Sequence, residues 1–481
     1  MLLTFILVPL IGAAIMPIVR KAWPVGAVGL PIIATLYQIA AVSAVAFQNL
    51  VAKDSINLEH WLLNQKLMLS LDGLSVVALI SIGLVAFVSV LFAIKFPLDA
   101  DRRPGYYALI LLAVAGMNGL VLATDLFSMY VFLEVASVCS FILIAYQYDH
   151  LGLEGSYKYM MLSAVATVFL LLGISLMFAL TGGVSFADMA AGIQTSSLPV
   201  KLGLAFLFFA FALKAGVMPF HAWLPDAYTG APAPVSIFLG GIVTKIAGVY
   251  TLMRLILNIF GFTKSFSMLL LILGALSAVM GAFMALGQRD FKRMLAFSSI
   301  SQIGYIMMGF ATGSPLGLVG AVFHFFNHAV FKSLLFANAG AVEMATGTRN
   351  LDELGGLSAK MPVTGTTSVI GLLSAAGIPP LAGFWSKLII IIALWTAGYR
   401  IFATIAVFAS VITLAYLLSL QRHVFFGKLR EGLEGIKEVS PACYWPEIIM
   451  AAITVAAGLL FPLFYTKLLL PINSLISMVI N

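Results

Sequence analysis

Charge is the scarcest property of this chain. Only 9% of its 481 residues are Asp, Glu, Lys or Arg and 62% are hydrophobic, whereas a water-soluble domain carries about 25% charged residues. With a mean hydropathy of +1.08, most of the surface must face lipid. Cysteine is nearly absent as well. Cys139 and Cys443 form no CxxC pair, which argues against iron–sulfur ligation and a disulfide framework. No GxGxxG or P-loop pattern follows a strand signal, so nucleotide binding is unsupported. The chain is therefore read as holding no cofactor and no redox or hydrolytic centre, and its energy source is expected in partner molecules.

What the chain does have is long apolar runs. A helix rising 1.5 Å per residue needs about 20 apolar residues to cross the hydrocarbon core. Such stretches lie near 1–19, 24–47, 70–95, 105–123, 126–147, 157–181, 201–218, 235–258, 265–287, 292–312, 316–342, 363–398, 401–421 and 447–470. They predict an all-α integral membrane protein of about fourteen transmembrane helices joined by short loops. The first stretch lacks a basic leader and a small-residue cleavage site, so it reads as a retained helix.

The formal net charge of +7 would suit nucleic acid, but its distribution does not. With the N-terminus outside, fifteen of the 26 Lys and Arg fall in cytoplasmic loops and six in external ones. Arg20, Lys21, Arg102, Arg103, Lys158, Lys292 and Arg293 are among the fifteen. The positive-inside rule accounts for this bias and predicts a multi-pass protein of the cell membrane with its N-terminus outside. Nucleic-acid binding has no support. Of the five remaining cations, Arg254 lies near a helix end, where its side chain could snorkel, as could that of Lys467.

The other four are Lys214, Lys245, Lys332 and Lys387, which together with Glu134 interrupt membrane spans. A charge at mid-membrane costs about 2.5–3.5 kcal/mol on insertion scales and persists mainly where it lines an ion or proton path. Two of the spans are also broken. One reads Leu213-Lys214-Ala215-Gly216-Val217-Met218-Pro219 and runs on through His221 and Trp223 to Asp226; the other runs from Gly377 through Pro379, Pro380 and Gly383 to Lys387. Proline removes a backbone donor and glycine loosens a helix, and irregular backbone at membrane depth survives only beside protein or water. The breaks occupy the fourth place in two five-helix groups of opposite direction, the pattern of an inverted repeat. The expected organisation is three leading helices in 1–104, repeats in 105–258 and 265–421, and a C-terminal helix in 422–481.

Glu134 is read as the one carboxylate deep in a span, with the remaining acids in loops or near helix ends. An apolar setting favours the neutral form of a carboxyl or an amine, and a neighbouring opposite charge favours the ionised one. A Glu134–Lys214 pair whose spacing changes would therefore switch proton affinity; the alternative is a fixed ion pair. Lys245 is too central to reach water easily. His324, His328 and Lys332 stand at i, i+4 and i+8, on one helical stripe able to pass protons along the membrane plane. A zinc site is the competing reading, with no HExxH glutamate or evident third ligand to support it. Ser298, Ser299, Ser301, Gln302 and Tyr305 make 292–312 polar, through interhelical hydrogen bonding or a hydrated path. Ala231-Pro232-Ala233-Pro234 reads as a rigid loop, and Asp149, Glu154 and Lys158 as a solvated face.

On these residues the chain resembles the antiporter-like membrane subunits of respiratory complex I, a family that includes subunits of membrane-bound hydrogenases and multi-subunit Na+/H+ antiporters. The resemblance rests on Phe132-Leu133-Glu134, the run from Leu213-Lys214 to Leu224-Pro225-Asp226-Ala227, Lys245, Asn327-His328-Ala329-Val330-Phe331-Lys332 and Gly383-Phe384-Trp385-Ser386-Lys387. It implies a fourteen-helix fold whose two inverted units each provide a half-channel. Glu134 and Lys214 would be the input pair, Lys245 the central relay, His324, His328 and Lys332 the bridge, and Lys387 the exit group. Some relatives carry glutamate at that exit position, and the largest add a lateral helix that this chain does not show.

The resemblance implies a proton-translocating subunit of a redox-driven complex, of the NADH/quinone dehydrogenase or energy-converting hydrogenase type. Its partners would be other membrane subunits, with iron–sulfur subunits on the cytoplasmic side. The alternative is a subunit of a stand-alone Na+/H+ antiporter, in which Na+ moves as well as protons. A structural scaffold would leave five intramembrane charges unexplained.

Overall fold

The computed structural model describes residues 1–22, 26–47, 56–62, 65–99, 101–193 and 197–472. The chain runs through α1 (Thr4–Ala22) and α2 (Gly26–Phe47), then β1 (Ile56–Leu62) and β2 (Gln65–Leu71). It continues with α3 (Gly73–Ala93), α4 (Arg103–Leu122), α5 (Leu126–Ile144), α6 (His150–Thr181), α7 (Phe186–Gly192), α8 (Leu198–Ala215) and α9 (Trp223–Gly230). The second half holds α10 (Ala233–Phe260), then α11 (Lys264–Leu286), α12 (Phe291–Ala311), α13 (Pro315–Thr346), α14 (Pro362–Ala376), α15 (Ala382–Thr396), α16 (Arg400–Val424) and α17 (Pro441–Leu459). Among the described residues, 13 helices are long and apolar enough to cross a membrane, and α14 and α15 are shorter apolar pieces of one interrupted span. The helical membrane architecture is the one expected.

Four local readings are corrected. β1 and β2 pair antiparallel from Ile56↔Leu71 to Leu62↔Gln65, a hairpin whose short alternating strands do not register as long apolar runs. The last long helix begins at Pro441 rather than near 447, so Cys443 is helical and buried instead of lying in a loop. Arg254 does not snorkel: it is 6% exposed and grips Asp72 through two bonds of 2.5 and 2.6 Å. Lys292 is not a loop cation but a buried residue of the first turn of α12, 2.7 Å from Glu343.

Helix ends follow elementary capping chemistry. Asp72, Asp125, Asp149 and Asp290 accept from the backbone N–H three residues on, at the starts of α3, α5, α6 and α12, which satisfies donors that hydrocarbon could not. Burial separates centre from rim. The most apolar windows of α10, α12 and α13 are 100% buried, whereas that of α6 is only 33% buried. The lysine-bearing helices α10 and α13 are therefore the interior, and α6 is part of the outer wall. Small residues allow that interior to close. A Cβ on Gly248 of α10 would lie 2.2 Å from the Ala215 nitrogen, so α8 and α10 meet backbone to backbone beside Lys214 and Lys245.

Candidate functional site

α5, α6 and α8 bring together the first group. Lys214, in the last turn of α8, lies 3.4 Å from Glu134 Oε1 and donates to Ser137 Oγ at 2.9 Å and Ser163 Oγ at 2.5 Å. Glu134 also accepts from Thr167 Oγ1 at 2.7 Å. The two charges differ in setting: the Lys214 side chain is 1% exposed and that of Glu134 27%, because Glu134 borders a shallow recess walled by Leu112, Tyr130, Val135 and Val138. Ser163 and Thr167 were missed in the sequence. Their only signal was an i, i+4 pair of hydroxyls in the apolar part of α6.

Lys245 is fully buried in α10, and its ammonium donates to the Gly240 carbonyl. α10 is wound as wider π-type turns over Leu239–Val243 and Lys245–Tyr250, which displace backbone carbonyls from regular helical bonding. Lys245, His328 and Lys332 lie within mutual electrostatic reach, as do His324 and Lys332 with Lys387.

α13 carries the histidine stripe as its i, i+4, i+8 spacing required. His324 uses Nδ1 on Ser386 Oγ at 2.9 Å and Nε2 on Gln302 Oε1 at 3.2 Å, so both ring nitrogens are committed to neighbours. Neither ring nitrogen of the buried His328 has a hydrogen-bond partner among the described residues. Lys332 donates to Ser298 Oγ at 2.7 Å and to the Leu295 carbonyl at 3.1 Å. Ser298 in turn meets Tyr416 Oη at 2.5 Å. The polar face of α12 thus lines the same buried row.

At the second break, α14 ends on Gly377 (φ 85°), leaving carbonyls without helical donors. Lys387 fills that gap, donating to the Ala375 carbonyl at 2.8 Å, with its ammonium 4.5 Å from the Tyr305 ring centre. At the first break α8 ends on Gly216 (φ 67°), but there the Trp223 indole donates to the freed Leu213 carbonyl at 3.0 Å. Lys214 is left to face Glu134 instead.

Lys158 and Glu154 lie on a solvated face, their side chains 41% and 42% exposed, and the Lys158 ammonium also reaches Asp226, 2.6 Å from both carboxylates. Arg293 reaches the other Asp226 oxygen at 2.5 Å. Burial alone would raise the Asp226 carboxyl's proton affinity, but these two cations outweigh it and hold the carboxyl below the usual range. Glu134 is also not the only deep carboxylate. Glu447, on the second turn of α17, is 0% exposed, and the sequence had suggested a helix end because α17 starts earlier than hydropathy indicates.

A family model described as "NADH:quinone oxidoreductase/Mrp antiporter, TM" matches residues 123–413. The NADH-quinone oxidoreductase subunit N of Desulforudis audaxviator is 36% identical over 346 residues, 71% of this chain and 69% of that protein. A Na(+)/H(+) antiporter subunit of Alkalihalophilus pseudofirmus is 32% identical over 408 residues, 84% of this chain and 82% of that protein. A chain in the structure of the Mrp complex from Dietzia sp. DQ12-45-1b superposes with a TM-score of 0.90 at 28% identity, covering 99% of this chain and 97% of its own length.

Proposed function

Because this chain belongs to the NADH:quinone oxidoreductase/Mrp antiporter membrane-subunit family, we propose that it moves protons through Glu134, Lys214, Lys245, His324, His328, Lys332 and Lys387 as one subunit of a redox-driven membrane complex. One contrast carries the reading. Arg254 and Lys292 are buried cations with buried or half-buried carboxylates beside them, as a structural charge requires. Among the described residues, Lys245, Lys332 and Lys387 have no carboxylate partner and rest on carbonyls and a hydroxyl. A lysine held that way can give up its proton without leaving a buried carboxylate unpaired, which suits a carrier of protons and not a clamp.

The loose pair supplies the switch. When Glu134 takes a proton, the Lys214 ammonium keeps Ser137 and Ser163 as alternative partners, and its charge is freed to repel or pass on the next proton. The row then runs from Lys245 through His328 and Lys332 to Lys387. The matching breaks at Gly216 and Gly377 support two inverted units, 105–258 and 265–421, one for each half-path. The positive-inside bias supports the cell membrane, an external N-terminus, and redox partners on the cytoplasmic side.

The second reading is a subunit of a multi-subunit Na+/H+ antiporter, supported by the likeness to the Alkalihalophilus antiporter protein and to the Mrp complex. Purifying the intact complex and identifying its subunits separates the two. Iron–sulfur proteins in the complex favour the first reading; small membrane subunits alone overturn it in favour of the second.

A further inference from the structure

Glu447 stands apart from the lysine row, and its surroundings are unusual for a carboxylate. It is 0% exposed. Its Oε2 meets Thr367 Oγ1 at 3.1 Å, and the Thr364 and Asn338 side chains lie near the carboxyl; among the described residues its Oε1 makes no hydrogen bond and no cation pairs with it. The titratable groups facing it are Glu438, in the loop before α17, and Cys443, one turn earlier on α17. Neither brings positive charge. A buried anionic oxygen with no donor is among the costliest arrangements in a protein.

Counting protons around Thr367 resolves the cost. Thr367 Oγ1 accepts from Asn338 Nδ2 at 2.9 Å and has two acceptors within reach, Glu447 Oε2 and the Thr364 carbonyl at 3.1 Å. One hydroxyl proton cannot serve both. If Glu447 carries a proton on Oε2, it donates to Thr367, Thr367 donates to the Thr364 carbonyl, and every lone pair and proton at the hydroxyl is used. The remaining Oε1 is then a neutral carbonyl oxygen, far cheaper to leave bare.

The cluster also has an outlet. Thr364 Oγ1 donates to Glu438 Oε1 at 2.8 Å, and Glu438 is only half-buried, in the loop that joins α16 to α17 and carries Lys428, Arg430 and Lys437. On α14, Ser374 lies seven residues, about 10 Å, beyond Thr367, next to the Ala375 carbonyl that holds Lys387. We propose that Glu447 is a proton-holding acid, loaded from the face of the 425–440 loop through Glu438 and the Thr364 hydroxyl, which lies within reach of both carboxyl groups, and that it supplies the Lys387 end of the relay. The supplying role rests on the transport function proposed above; the proton on Glu447 does not.

Infrared difference spectra of the intact purified complex separate the two. Wild type minus Glu447→Gln should show, at neutral pH, the carbonyl stretch of a neutral carboxylic acid that shifts in heavy water. Thr367→Val, of the same shape, should move that band without abolishing it. A difference spectrum containing only the stretches of an ionised carboxylate would overturn the assignment. In proteoliposomes, Glu447→Gln should slow proton transport by about a hundredfold, the low end for a positioned acid–base group, with Lys245→Ala measured alongside. Wild-type transport by Glu447→Gln where Lys245→Ala is inactive would remove the supplying role and leave the relay intact. Wild-type transport by Lys245→Ala would instead count against the relay, and the infrared band alone would then decide the state of Glu447.

Discussion

The Lys387 ammonium donates to the Ala375 carbonyl at 2.8 Å, bridging the two halves of a membrane span whose backbone could not bridge itself. Gly377 makes this possible. Its φ of 85° releases the carbonyls, and a Cβ there would come within 3.0 Å of Lys387 Cδ. Gly377→Ala should therefore destabilise the fold by about 1–2 kcal/mol, the cost of a left-handed conformation for an L-residue, and displace Lys387. Thermal unfolding of the purified complex checks the first effect; Gly398→Ala, also at positive φ but with nothing within 4 Å, supplies a comparison without the contact.

Lys387→Arg asks whether the charge or the proton matters. An arginine would keep the positive charge beside the freed carbonyls, but with a pKa above about 12 it would not release its proton. Assembly should survive while transport falls by about a hundredfold. A structural cation would tolerate the exchange, so full transport in reconstituted membranes would reduce Lys387 to that role.

The Lys158–Asp226–Arg293 bridge ties α6 to α9 and α12, and it predicts a pH dependence of stability. The Asp226 carboxyl is held below its ordinary 3.8 by its two cations, so its contribution is complete above that value and is lost as pH falls through the lower folded-state value. Asp226→Asn should cost about 1–2 kcal/mol at neutral pH. The stability gap between wild type and variant should stay constant into mildly acid buffer and close only below about pH 4. A gap that closed near neutrality would mean that another group carries the effect.

What could be read from the sequence was what the membrane makes expensive. Glu134 and Lys214 had to find each other because each alone would be too costly in hydrocarbon, and they lie 3.4 Å apart. Gly377, Pro379, Pro380 and Gly383 had to free carbonyls before Lys387, and Ala375 and Ala376 are the ones it holds. The histidine spacing had to form a stripe. Pairings between distant segments left no such mark. Arg254 and Asp72 stand 182 positions apart, and each by itself resembles an ordinary residue at a helix end. Glu447 was hidden by hydropathy, which placed the start of its helix too late: Pro446 interrupts the apolar run, yet α17 passes through it. The β1–β2 hairpin carried a period-two mark, Ile56 and Leu58 in one strand and Leu67, Leu69 and Leu71 in the other, which a search for long apolar runs passes over.

Lys245 is the residue on which the whole account turns, since it is fully buried at the centre of the row and has no carboxylate partner among the described residues. Removing it should relieve a desolvated charge, so the complex should still assemble. The direct measurement is proton uptake by proteoliposomes containing the complete complex with Lys245→Ala, followed with an internal pH-sensitive dye after the assembled subunits have been verified. A loss of about a hundredfold or more in a fully assembled complex is the predicted result. Transport at the wild-type rate would contradict a proton path through the buried lysines.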